Sequence, residues 1–126
     1  MKSAEEPRLT RVAAICLALP EAERTEHGDH AAFTVRGKKF AYFLNDHHGD
    51  GIVSVCVRAF PGENKRLIEA HPSKFYLPAY VGPRGWIGLR FDRGKVDWDE
   101  VRDLVTASYL QAAPKKLAAV VEAAIE

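Results

Sequence analysis

Cysteine is scarce in this chain, with only Cys16 and Cys56 in 126 residues. They share no short spacing, so a C-x-x-C redox motif and a paired zinc knuckle are both excluded. Cys16 falls in an apolar helix pattern and Cys56 in a Val-rich strand pattern, which reads as two buried, reduced thiols acting as small hydrophobes. Long apolar runs are missing as well. The longest, Ala13 to Leu19, is far short of the roughly 20 residues that span a bilayer. The opening MKSAEEPRL has no apolar core and carries two glutamates, unlike a secretory signal. A cytoplasmic location without membrane association is the expectation. An excess of one charge is absent too, since 18 basic residues face 17 acidic ones.

The motifs of common chemistries are also lacking. Gly82, Gly85 and Gly88 recur every three residues, but they precede or lie within a strand pattern instead of opening a helix, so no nucleotide fingerprint results. Ser108 sits late in a helical pattern beside Tyr109, without the strained elbow that exposes a hydrolase serine. Four histidines fall near one another, but a zinc site needs three or four ligands converging on one point. His27 and His30, with Asp29 between them, could supply two ligands, whereas the adjacent His47 and His48 diverge in any regular backbone. Asp97 and Asp99 are explained as helix-capping charge. The expectation is a protein that is not an enzyme, with no catalytic residues, no metal and no cofactor.

What the chain does contain is ordinary globular composition, 47% hydrophobic and 28% charged, of a size for one domain over residues 1–126. Its near-neutral charge conceals a division along the sequence. Residues 1–35 carry 4 basic and 6 acidic side chains, residues 36–95 carry 11 and 5, and residues 96–126 carry 3 and 6. The middle is therefore at +6 between acidic ends, an asymmetry that points toward a polyanionic partner.

Hydrophobic periodicity predicts a helix over Pro7 to Leu19, stopped by Pro20, and a short edge strand within Glu21 to His27. Strands follow over Ala32–Arg36, Lys39–Leu44 and Ile52–Arg58, the second apolar on both faces and hence central. A tight turn is expected at Gly37-Lys38, and the run NDHHGDG (45–51) reads as a loop. Pro61 to His71 reads as a short helix, Phe75 to Pro83 as an irregular segment over the core, and Trp86 to Phe91 as a strand. Asp97 caps a helix with Glu100 three residues on, and Pro114 opens a last one. The predicted fold is α+β in the order α-β(3-4)-α-β-α-α, two layers with an antiparallel sheet packed on one face by helices. Val12, Val101 and Val121 mark the stripes that the first and the two C-terminal helices should bury.

Three segments together resemble the MmcQ/YjbR family: HGDHAAFTVRGKKFAYF (27–43), YVGPRGWIGLRFD (80–92) and VDWDEVRDLVTASYLQAAPKKLA (96–118). The positions that carry the likeness are His30, Phe33, Gly37, Lys38, Phe40, Trp86, Ser108, Tyr109 and Lys116. The resemblance implies a two-layer fold similar to type III secretion chaperones and DNA binding through a double-wing arrangement of β-hairpins. It departs from the family in VSVCVR (53–58), where a lysine is common and this chain has Cys56 and then Arg58. On this reading Arg36, Lys38 and Lys39 at a hairpin tip, with Arg58, Arg84 and Lys116, contact phosphates of DNA, with weak sequence specificity. The alternatives are a protein- or peptide-binding module, by analogy with the chaperones, and a small-ligand pocket lined by His30, Tyr80, Trp86 and Tyr109.

Overall fold

The structure is a computed structural model in which residues 5–28, 30–46, 49–78 and 82–125 are described. Helix α1 (Pro7–Leu17) starts where Pro7 fixes the first-turn backbone and Glu6 accepts from the Arg8 amide. It stops two residues before the expected Leu19, because the chain tightens there and Leu19 N–H donates to the Cys16 carbonyl. Four consecutive strands form a meander: β1 (Ala22–His27), β2 (His30–Val35), β3 (Lys38–Asn45) and β4 (Val53–Arg58). Then come α2 (Glu63–Ala70), β5 (Phe75–Tyr76), a single 3₁₀ turn (Gly82–Arg84), β6 (Trp86–Arg90), α3 (Trp98–Ala112) and α4 (Lys115–Ile125). The sheet is antiparallel throughout, in the order β1-β2-β3-β4-β6-β5.

The predicted α+β architecture is the observed one, with two adjustments. The segment after α2 contains a short strand, because Phe75 and Tyr76 pair with Leu89 and Gly88 at the far edge of the sheet. The hairpin between β2 and β3 turns at Arg36-Gly37, not Gly37-Lys38, since Val35 already faces Lys38. Both turn residues have left-handed backbone, φ 51° at Arg36 and 79° at Gly37. That is the two-residue turn whose twist matches the flanking strands.

Strand alternation sends Ala31, Phe33, Val35, Ala41, Phe43, Val55, Val57, Ile87 and Leu89 to one face, where they form the core with the helices. α1 packs over β1 to β3, α3 over β3 and β4, and α4 against α3. Val12, Val101 and Val121 are all buried, as their helical stripes require. β3 also carries an extra residue beside Phe33/Thr34, which swings Phe40 onto the helical face, edge-on to the Tyr109 ring at 5.3 Å between centroids.

The second face of the sheet covers itself with its own side chains. The Tyr76 ring lies directly over Gly88, so close that a Cβ there would come within 2.2 Å of a ring carbon. Its hydroxyl reaches Ser54 Oγ at 2.7 Å and Cys56 Sγ at 3.6 Å. Tyr42 and Trp86 pack together beside them. No helix among the described residues is long and apolar enough to cross a membrane.

Candidate functional site

The antiparallel register places the hairpin turn, the end of β4 and the start of β6 at one end of the sheet. The C-terminus of α3 closes on the same end, where the Gln111 amide donates to the Arg58 carbonyl at 3.0 Å. α4 begins three residues after α3 ends, so Lys115 and Lys116 in its first turn belong to this end too. α2 also starts here. The buried Asn64 amide donates to the carbonyls of Gly82 at 3.1 Å and Trp86 at 3.2 Å, and its oxygen accepts from the Lys65 amide.

Lys38, Lys39, Arg58, Arg84 and Lys116 are exposed here, and among the described residues none has an acidic partner. Lys65 joins them, a cation that sequence reading did not single out. Its signal was present as PGENK before a short helix, but nothing in a linear pattern shows that this helix start lands beside Arg58 and Arg84. Arg36 stands apart from the group. Its left-handed backbone turns the guanidinium toward β1, where Nε lies 2.6 Å from the Glu21 carboxylate. That hydrogen-bonded pair lowers the carboxyl's pKa and raises the guanidinium's. On the second face Glu23 lies across Thr34 from Lys39 and is the acid nearest to it in register.

Cations at the opposite end are arranged differently. Lys74 pairs with Glu100, and Arg90 pairs with Asp92 at 2.7 Å. Lys95 shares a shallow cleft with Asp97 and Asp99. Capping explains the pair of aspartates, because Asp97 accepts from the amides of Asp99 and Glu100. Glu100 does not complete a capping box, since its carboxylate turns to Lys74 instead. The charge surplus of the middle segment is thus left unneutralised mainly at the hairpin end.

Aromatic side chains flank that end on the second face. Trp86 pairs with Arg58 across β4 and β6, and its ring lies 5.2 Å from that of Tyr42. The Lys39 ammonium sits 5.7 Å from the centre of the Tyr42 ring. Between β4, α2, the 3₁₀ turn and the end of α3 lies a cavity of about 640 Å³, lined by Arg58, Lys65 and Arg84 together with Asn64, Leu77 and Gln111.

Of the small-ligand pocket expected from His30, Tyr80, Trp86 and Tyr109, the three described residues do not come together. Tyr109 is fully buried on the helical side, its hydroxyl donating to the Pro20 carbonyl at 2.7 Å, while Trp86 belongs to the opposite face. His30 lies at the far end of the sheet, where its Nδ1 accepts from the Asn45 amide. Tyr80, like Asp29, His47 and His48, lies outside the described residues. Among the described residues no three His, Cys, Asp or Glu side chains converge to hold a metal. Ser108 is a structural residue: its buried hydroxyl donates to the Phe40 carbonyl at 2.6 Å and accepts from the Arg58 amide at 2.9 Å. It bridges β3 to β4 just beyond the last pair of their ladder, Ala41 and Val57.

Comparison with known proteins adds the following. A family model, YjbR, matches residues 17–111. The fold is similar to the crystal structure of a Deinococcus radiodurans protein whose family-model domain is DUF419, with a TM-score of 0.67 and 21% identity over 86% of this chain and 81% of that one. No curated protein matches the chain.

Proposed function

The chain belongs to the YjbR family, and from that premise we propose that it is a non-enzymatic nucleic-acid-binding protein, with duplex DNA as its ligand and weak sequence specificity. One observation carries the reading: Lys38, Lys39, Arg58, Lys65, Arg84 and Lys116 gather at one end of the sheet without acidic partners among the described residues, while Lys74 and Arg90 at the other end are ion-paired. Cations left free of carboxylates are the ones that can replace the counterions condensed on a phosphate backbone. Lys38 and Lys39 lead because they stand exposed at the start of β3, next to the hairpin turn. The hairpin is one wing of a double-wing arrangement, and the segment carrying Arg84 ahead of β6 is the other. Such contacts position the protein without reading bases. Half-buried Tyr42, which lies beside the Lys39 ammonium, adds aromatic surface that suits an unstacked base of a single strand.

Fluorescence anisotropy of labelled duplex and single-stranded oligonucleotides at low salt tests the proposal. The expected result is binding of every sequence, weakened alike for all of them in the double variant Lys38→Ala/Lys39→Ala. Absence of binding would favour the peptide-binding alternative. Phe60 at 54% exposure and Leu77 at 49% stand near the same cavity and would serve as its apolar anchors.

A further inference from the structure

The cavity at the basic end has a construction that general attraction to a polyanion does not require. Among the described residues its lining holds three cations, Arg58, Lys65 and Arg84, and no carboxylate. Glu63, the acid adjacent in sequence, is engaged by Arg66. The walls come from β4, α2, the 3₁₀ turn and the end of α3, and the buried Asn64 side chain ties α2 to the 3₁₀ turn and to the start of β6 through its bonds to Gly82 and Trp86. Gln111 ties the end of α3 to β4 by donating to the Arg58 carbonyl. Fixed walls hold the cations near one another despite their mutual repulsion. Repulsion between fixed cations favours a bound anion carrying more than one charge. The remaining lining, Leu77, Ala59 and Pro61, is apolar, and the volume falls in the usual range for small-molecule sites.

We infer that this cavity binds a phosphate monoester, with Arg58, Lys65 and Arg84 around the dianionic phosphate and the ester group lying against Leu77 and Pro61. Two guanidiniums and an ammonium supply enough donors for the terminal oxygens, and the forked geometry of arginine suits two oxygens at once. A phosphodiester has a single charge and no free end to insert, so it satisfies the cluster less well. The source of the monoester is a nucleic-acid end or a free nucleotide, both of which present the same group.

NMR titration of the full chain with AMP and with adenosine, at matched ionic strength, tests the inference directly. Binding of AMP should shift the amides of Gly62, Asn64 and Gly85, which adenosine should leave in place. Arg84→Gln and Arg58→Gln should each weaken AMP by about tenfold or more, the effect of losing a charge-assisted hydrogen bond. Arg84→Lys should recover only part of the loss, because the fork is gone. The source is separated by oligonucleotides with and without a 5′-phosphate. Preference for the phosphorylated end over AMP assigns the cavity to a nucleic-acid terminus, and equal affinity assigns it to the free nucleotide. Equal binding of AMP and adenosine would overturn the inference, as would shifts spread over all surface lysines or AMP binding that both glutamine variants leave unchanged. The inference stands apart from duplex binding. A chain that binds AMP but no duplex keeps the cavity and loses the nucleic-acid reading, and the opposite result does the reverse.

Discussion

At the scale of single residues, the polar groups with the least freedom are the ones that stitch the sheet to its surroundings. Ser108 satisfies both a carbonyl and an amide where β3 and β4 part. Replacing it by alanine leaves both groups buried without partners, so Ser108→Ala should cost about 1–3 kcal/mol in urea denaturation. Lys38→Ala and Lys39→Ala, on exposed strand-start positions, should each stay within about 0.5 kcal/mol. This contrast separates the structural residues of the family likeness from those left for a ligand. Cys56 makes a second test. Burial raises its thiol from the ordinary 9.0 to about 11, a shift that its hydrogen bonds to Tyr76 and Ser54 only partly offset. Because the folded state holds this proton more tightly than the unfolded one, the stabilisation is complete below about pH 9 and is lost as pH rises toward 11. The urea midpoint should therefore be level up to about pH 9 and fall beyond it, with a shallower fall in Cys56→Ala.

At the scale of elements, the hairpin and the far edge of the sheet depend on glycine for different reasons. Gly37 needs φ 79° and has open space around it, so Gly37→Ala should cost about 1–2 kcal/mol through the backbone alone. Gly88 lies under the Tyr76 ring, so Gly88→Ala should displace the ring and break its bond to Ser54. Its signature is loss of hydrogen-exchange protection in β5, which Gly37→Ala should leave intact. Element order was largely legible in the sequence because the strands alternate cleanly and the helices carry apolar stripes with Pro7, Asp97 and Pro114 at their starts. β5 was not legible. Two residues among prolines carry no periodicity, and only pairing with Leu89 and Gly88 makes Phe75 and Tyr76 a strand. Nor was the exact turn, which is decided by Arg36 taking a left-handed backbone that brings it to Glu21.

At the scale of the whole molecule, sequence gave the amount of positive charge and structure gives its place. The hairpin cations were visible as a cluster in the chain, but Arg58, Lys65 and Arg84 come from separate segments and meet only through the antiparallel register and the Asn64 bridge. The same dependence on topology separates two residues that sequence reading groups, since strand alternation and the helix layer put Trp86 and Tyr109 on opposite sides of the sheet. On the proposed reading, one end of the sheet offers its unpaired cations to a polyanion, whereas at the other end Lys74 and Arg90 are held by carboxylates of the chain. The most direct measurement of that claim is the salt dependence of duplex binding. Each phosphate neutralised should contribute about −0.9 to the slope of log K against log salt, so four or five contacts predict a slope near −4 with micromolar or weaker affinity at physiological salt. Lys38→Ala/Lys39→Ala should flatten that slope by about 2. A slope near zero, or one that the double variant leaves unchanged, would contradict the account.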